Sequence, residues 1–327
     1  MGEEPPLREG TLDCVRHACR RVAHAARHVR VCREGIAAYA ASLPSLAAPR
    51  PGHDPASHLL GRGEETLAYF VTLGAVNFGS GYFPKLRKRA GKSGYFTIAS
   101  ALADLVCREG PLSADDLATM TAERCAEVFD QDVGSAPIRE LMELFAQSLR
   151  DLGLLVHRRF GGSFAALVEE ADGSAERLVD LLLEMPLFND VASYGGLDVP
   201  FYKRAQLLAA DLSLAFDGQG VGRFRDLDRL TIFADNLVPH VLRLDGILFY
   251  EPGLVARIAR EELIPAGSQE EVEIRACAVE ACERIVEAKR DAGEPAAAVA
   301  LDAVLWNRGQ GGAYKAHPRH RTRTVFY

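Results

Sequence analysis

The chain is poor in the features that announce a metal, a disulfide framework or a membrane. Its seven cysteines, Cys14, Cys19, Cys32, Cys107, Cys125, Cys277 and Cys282, are odd in number, include no Cys-x-x-Cys pair and are accompanied by no ladder of histidines. That pattern supports neither a zinc site nor a disulfide scaffold, and it predicts reduced thiols in a cytoplasmic protein. No apolar run approaches the roughly 20 residues that span a bilayer, and the opening Met1-Gly2-Glu3-Glu4-Pro5-Pro6 lacks the basic start and apolar core of a signal peptide. Positive charge is short as well: 38 Lys and Arg stand against 45 Asp and Glu, for a net charge of -7. Such a balance disfavours an extended phosphate-tracking surface, since duplex binding draws on many cations releasing counterions. A small anionic ligand needs only one local cluster.

With 327 residues the chain can bury a full core without cross-links, and 48% hydrophobic with 25% charged residues is ordinary for a globular protein. Between positions 42 and 63, Pro44, Pro49, Pro51 and Pro55 are interspersed with Gly52, Gly61 and polar residues. Proline at this density interrupts helices and sheet ladders, so this Pro-rich loop is expected to join an N-terminal helical arm, about 1–41, to the body of one domain, 1–327. Elsewhere helical signals dominate. Ser268 followed by Glu271 is a capping box, opening a helix on which Val272, Ala276, Val279 and Val286 recur and which is expected to reach Lys289. Gly161 or Gly162 is expected to stop one helix and Ser163 to cap the next, and Ser174 to cap another that Pro186 closes. Pro295 suits the first turn of a helix through Ala296 and Ala300. Strand-like alternation is scarce, with 322–327 the best candidate. The chain is expected to be mostly α.

Several tempting patterns carry little. Gly218-Gln219-Gly220-Val221-Gly222 has no preceding strand and reads as a turn, not a dinucleotide loop. Gly91-Lys92-Ser93 fails as a phosphate loop because Leu86 stands where glycine is required, and the charges from 85 to 89 read as a solvated face. The cationic stretch 315–323, with His317 and His320, suggests RNA, but in an acidic protein it reads as solvated or folded back.

The richest segments are Phe201-Tyr202-Lys203-Arg204-Ala205-Gln206 and, thirty positions later, Thr231-Ile232-Phe233-Ala234-Asp235-Asn236. From the residues alone, Pro239 fits a first helical turn, which puts Asp235 or Asn236 near an N-cap where a carboxylate commonly does nothing but cap. Lys203 and Arg204 open a segment with Leu207, Leu208 and Leu212 at helical spacing. They read either as solvated charges or as the start of a phosphate-binding helix. Asp302 stands one helical turn before Trp306, the single tryptophan, and reads as a surface acid above a core ring. Glu271 and Arg275 read by default as an i,i+4 pair, with a structural network of Glu271, Glu273 and Arg275 as the alternative.

These segments occur in one order with Phe160-Gly161-Gly162-Ser163-Phe164, Glu271-Val272-Glu273-Ile274-Arg275, Leu301-Asp302-Ala303-Val304-Leu305-Trp306 and His320-Arg321-Thr322-Arg323-Thr324-Val325-Phe326-Tyr327. Together they resemble the queuosine salvage family from roughly position 75 to 327. Members of that family are N-glycosidases that split queuosine 5′-phosphate and free the 7-deazaguanine base queuine for return to tRNA. The resemblance implies a mostly helical fold similar to helix-hairpin-helix DNA glycosylases and a small-molecule substrate. No cofactor and no metal are expected, nor a stable nucleic-acid or membrane partner, and the chain is expected to be a monomer.

The resemblance also implies roles. Asp235 would stabilise or attack the oxocarbenium-like carbon C1′, with Phe233 as a wall beside it. A 7-deazapurine has carbon in place of N7, the usual protonation site, so more of the barrier must be met by charge stabilisation at the sugar and by positioning. Lys203 would hold the 5′-phosphate or pair with Asp235, while Arg204 faces away. Asp302 would bind the secondary ammonium or the diol of queuine, with Asn307 and Trp306 next to it. His53, with His58 in competition, would be a ligand-contacting histidine of the Pro-rich loop. Asn77 and Phe78 match an Asn-Phe pair of the family, whereas Gly79-Ser80-Gly81-Tyr82-Phe83 departs from it. The alternative from another class is a helical module that binds a modified nucleotide or RNA without cleaving it, and a third reading is a helical scaffold using none of these residues.

Overall fold

The computed structural model describes residues 10–47 and 52–327. The opening segment 1–6 and both Pro49 and Pro51, on which sequence expectations rest, lie outside the described residues. The chain is mostly helical, as its periodicities predict. In order it forms α1 (Thr11–Ala25), β1 (Val29–Val31), α2 (Ile36–Ser42), α3 (Glu64–Val76), α4 (Gly94–Glu109), α5 (Ala114–Ala118), α6 (Ala122–Phe129) and α7 (Ala136–Phe160). Then come α8 (Phe164–Glu170), α9 (Ala175–Leu182), β2 (Val191–Tyr194), β3 (Leu197–Pro200), α10 (Lys203–Ala215), α11 (Val238–Leu244) and β4 (Leu248–Tyr250). The last elements are α12 (Pro252–Ala259), α13 (Gln269–Asp291), α14 (Ala298–Gly309) and α15 (Gly312–Lys315). No described helix is long and apolar enough to cross a membrane.

Helix ends follow local chemistry. Gly161, left-handed at φ 58, stops α7, and the Ser163 hydroxyl accepts from Ala166 N at 3.1 Å to start α8. Ser174 caps α9 by accepting from Arg177 N at 3.2 Å. At α13 the Ser268 hydroxyl accepts from Glu271 N at 3.3 Å, but the Glu271 carboxylate reaches back to Gly267 N, one residue beyond the expected partner. That helix runs to Asp291 rather than Lys289. The helix expected directly behind Pro295 begins only at Ala298, because Ala297 is still extended at φ -139.

Strands differ more from expectation. Two antiparallel ribbons form, β1 with β4 and β2 with β3. The second turns through Gly195 and Gly196, both left-handed at φ 57 and 82, the backbone a tight hairpin demands. The expected strand at 322–327 is absent; only an isolated bridge from Arg321 to Leu263 lies beside it. The alternation there is nonetheless physical: His320, Thr322 and Thr324 are buried while Arg321 and Arg323 lie nearer the surface. An inward-outward pattern without a neighbouring strand is a folded-back segment, not a ladder.

One hydrophobic core is gathered around Phe70, Leu102, Leu141, Phe145 and Leu178, and a second around Val15, Val22, Val241, Val279 and Ile285. Helix α13 is buried without a break over 271–282 because α1, α2 and β1 pack along it. Its polar residues are therefore partnered: Glu273, 0% exposed, accepts from the backbone N–H groups of Arg27, His28 and Val29 and so anchors the start of β1. The loop 231–236 bridges the two cores, with Phe233 in the first and Ile232 and Ala234 in the second.

His320 is buried in the folded-back segment, and among the described residues neither ring nitrogen has a hydrogen-bond partner. Burial pushes its pKa down to about 3, with Arg319 adding repulsion. The unfolded chain, with an ordinary imidazole near 6.5, takes up the proton first as pH falls. Stability from this group is therefore complete above 6.5 and is lost as pH drops toward 3. Between pH 6 and 5, urea denaturation of His320→Leu is expected to show a loss of stability smaller than the wild type's by about 1 kcal/mol.

Candidate active site

Lys203 is the first residue of α10. The chain enters that helix through Tyr202, held left-handed at φ 50, a conformation that costs a non-glycine residue about 1 kcal/mol or more. The helix start is already served: Asp190 is 2% exposed and its carboxylate lies 3.5 Å from Lys203 N. A phosphate cradled by the backbone at this end of α10 is thereby excluded, because it would meet a buried carboxylate. Nor is Lys203 a solvated charge, since it is 6% exposed. Burial lowers its pKa, and the charge of Asp235, ahead of those of Asp302 and Asp211, draws it back up. Arg204 does face away. Its guanidinium sits between the rings of Phe78 and Phe188 and donates to the carbonyls of Gly74, Ala75, Leu187 and Val325.

Three buried side chains place the loop 231–236 against the start of α10. Gln206, 0% exposed, donates to Phe201 O and Thr231 Oγ1, both at 2.9 Å, and accepts from Thr231 N at 2.8 Å. Arg275 donates to Ala234 O at 2.9 Å. Asp302 Oδ1 accepts from Phe233 N at 2.9 Å. Asp235 itself accepts from Leu237 N at 2.7 Å and Val238 N at 3.2 Å. It lies two residues before Leu237, the N-cap of α11, and so stands near the cap as the position of Pro239 in the first turn implies. These two hydrogen bonds fix the carboxylate and do not remove it from the cavity it lines.

That cavity, about 910 Å³, lies among α10, α14, the loop 231–237, the segment 77–96 and the folded-back residues 314–321. Its size suits a nucleotide-sized ligand. Lys203, Asp235, Phe233, Asp302, Trp306, Asn307 and His53 all line it, and so does His58. Their surroundings differ. Trp306 is only half-buried and packs edge-on against Phe96, so it is a cavity wall rather than a core ring. Asn307 is exposed at the rim and spends an amide hydrogen on Ala303 O. His53 contacts Asp211 O at 3.1 Å through Nε2. His58 Nδ1 meets Asp54 O, a carbonyl that only accepts, so Nε2 is the nitrogen that takes the Tyr95 hydroxyl at 2.9 Å. Burial, then the neighbouring His53, lowers the pKa of His58.

Other lining residues went unnoticed in the sequence. Asp211 follows Lys203 and Leu207 at steps of four on α10, a helical signal that was available. Arg319 and Arg321 come from the cationic stretch 315–323, which gave no sign of which surface it would cover. No group of three or more His, Cys, Asp or Glu side chains suited to a metal occurs among the described residues.

Asp235 is the strongest attraction felt by two partly or wholly buried cations, Lys203 and Arg319. A carboxylate sharing a cavity with these cations and with the aromatic walls of Phe233 and Trp306 defines a site for a polar small molecule carrying a flat ring. The chain belongs to the queuosine salvage protein family, whose family model matches residues 57–327. A protein of Sphaerobacter thermophilus named queuosine 5′-phosphate N-glycosylase/hydrolase is 40% identical over 314 residues, 94% of this chain and 96% of the relative. Proteins of the same name are 31% identical in Mus musculus, over 95% of this chain and 98% of theirs, and 33% identical in Dictyostelium discoideum, over 81% and 79%.

Arg275 is expected to be the most sensitive support of this site. Arg275→Met should destabilise the protein by about 3–5 kcal/mol in chemical denaturation, because it strands Asp190 as a buried charge. The double variant with Asp190→Leu should lose less than the sum of the two single changes.

Proposed function

We propose that this chain hydrolyses the N-glycosidic bond of queuosine 5′-phosphate, releasing queuine and ribose 5-phosphate. The observation that carries the reading is the meeting of Lys203, Asp235, Phe233 and Asp302 in one cavity, from segments separated in sequence, in a chain whose relatives bear that enzyme's name over most of their length.

In the reaction the bond from C1′ to the base nitrogen breaks and its electron pair leaves with the base. Water supplies hydroxide to C1′ and the proton that the base nitrogen finally carries. Asp235, immobilised by two backbone N–H groups, supplies negative charge at the sugar as positive charge develops there, either as an electrostatic partner or by bonding to C1′. Lys203 lines the same cavity and supplies a positive charge attracted to that carboxylate. Phe233 and Trp306 bracket the ring system. Asp302 fixes the Phe233 backbone and offers carboxylate charge to the ammonium or diol of the base, with Asn307 at the rim and His53 across the cavity. The same reading carries a one-domain chain with the helical arrangement of helix-hairpin-helix DNA glycosylases. It works as a monomer on a free nucleotide in the cytoplasm, with no stable nucleic-acid or membrane partner.

Incubation of the purified protein with queuosine 5′-phosphate, followed by mass spectrometry of free queuine, tests this directly. Asp235→Asn is expected to lower kcat by about a hundredfold or more while remaining folded. Lys203→Met is expected to lower kcat by about tenfold or more, through loss of one charged partner. Substrate bound by the wild type but never cleaved would turn the reading to a recognition module.

A further inference from the structure

Residues 314–321 close one side of the cavity, and backbone contacts hold them there. The Tyr314 carbonyl accepts from His240 Nε2 at 3.0 Å, the Pro318 carbonyl from Arg243 at 3.1 Å, and the Arg321 carbonyl from Ile264 N at 2.8 Å. This segment brings Lys315, Arg319 and Arg321 to the lining. The three cations are not equivalent. Arg321 is bound to Glu261 at 2.7 Å, and Lys315 is exposed at the mouth. Arg319 is partly buried, and among the described residues its guanidinium has no hydrogen-bond or ion-pair partner.

A partly buried guanidinium that lines a cavity with no carboxylate within ion-pair distance is left for a ligand to satisfy. It lines the same cavity as Asp235, the carboxylate assigned to C1′, whose charge attracts it. Lys203 is deeper and already attends to Asp235, and the backbone at the start of α10 is taken by Asp190. A nucleotide bound with C1′ at Asp235 must put its phosphate elsewhere. The planar fork of arginine matches phosphate oxygens bidentately, and a phosphomonoester carries close to two negative charges at neutral pH.

We propose that Arg319 holds the 5′-phosphate of the substrate and thereby sets the preference for nucleotide over nucleoside. The inference rests on the glycosidase reading above and adds a specificity residue to it.

The test is steady-state release of queuine from queuosine 5′-phosphate and from queuosine, in parallel, by the wild type, Arg319→Ala and Arg319→Lys. Arg319→Ala is expected to raise KM for the nucleotide roughly tenfold to a hundredfold, the worth of a charged hydrogen-bonding pair, with a far smaller effect on the nucleoside. The ratio of the two kcat/KM values should collapse, Arg319→Lys should restore part of it, and competitive inhibition by ribose 5-phosphate should weaken in step. Equal losses on both substrates, or no loss on the nucleotide, would overturn the assignment. Should the wild type cleave neither compound, the glycosidase reading fails by itself. Calorimetric binding of ribose 5-phosphate then decides for Arg319: weaker binding to the alanine variant supports it, and equal binding rejects it.

Discussion

The guanidinium of Arg275 is 1% exposed, and charge at that depth persists only where partners surround it. Asp190 takes it bidentately at 3.0 and 2.5 Å, and Glu271 stands 3.6 Å away, itself accepting from the Tyr327 hydroxyl. Burial opposes the charge of Arg275, but Asp190 and then Glu271 outweigh it and raise its pKa. The remaining N–H goes to Ala234 O, and the guanidinium plane lies over Phe201 at 3.9 Å. One side chain of α13 thus joins the residue before Asp235, the residue before Tyr202-Lys203, the turn that carries Asp190 and the end of the folded-back segment. The walls that carry Asp235 and Lys203 meet at it.

Around that junction the site is arranged so that structure and chemistry share atoms. Asp235 takes the N–H groups that lead into α11 and lines the cavity; Asp302 fixes the Phe233 backbone and lines the cavity; Asp190 seals the start of α10, where the Lys203 side chain, not the helix backbone, lines the cavity. A carboxylate that already accepts backbone hydrogen bonds needs little reorganisation when charge develops next to it, which is the condition for electrostatic catalysis. Lys203 is desolvated to the point that its pKa falls, yet three carboxylates pull the other way. The balance sets a buried lysine among carboxylates of the same cavity.

Much of this was legible in the chain. Gly161 and Ser163 marked a helix end and a helix start, Ser174 and Ser268 marked two more, and Pro239 placed Asp235 beside a cap, because each of these acts within one turn. The segments carrying Lys203, Asp235 and Asp302 were visible as candidates. What local reasoning misjudged was environment. Asp302 above Trp306 looked like a surface acid over a core ring, whereas Asp302 is buried and Trp306 only half-buried. The alternation at 322–327 looked like a strand and is an inward-outward pattern with no described strand beside it. Burial is a property of what packs on top, and α1, α2 and β1 come from positions far from α13.

By itself, then, the sequence determined the helical character of the chain, most of its caps and turns, its family and the side chains proposed for glycosidic chemistry. These are properties of neighbours along the chain or of residue type. Only the tertiary structure decided that Gln206 and Thr231 would pin two distant segments together. It also decided that Asp190 would occupy the helix start considered for phosphate, and that Arg319 would be folded over the cavity rather than left in solvent. The physical reason is common to all three. A hydrogen bond or an ion pair inside a protein is worth making only when water is excluded from it, and exclusion of water is a property of the assembled whole.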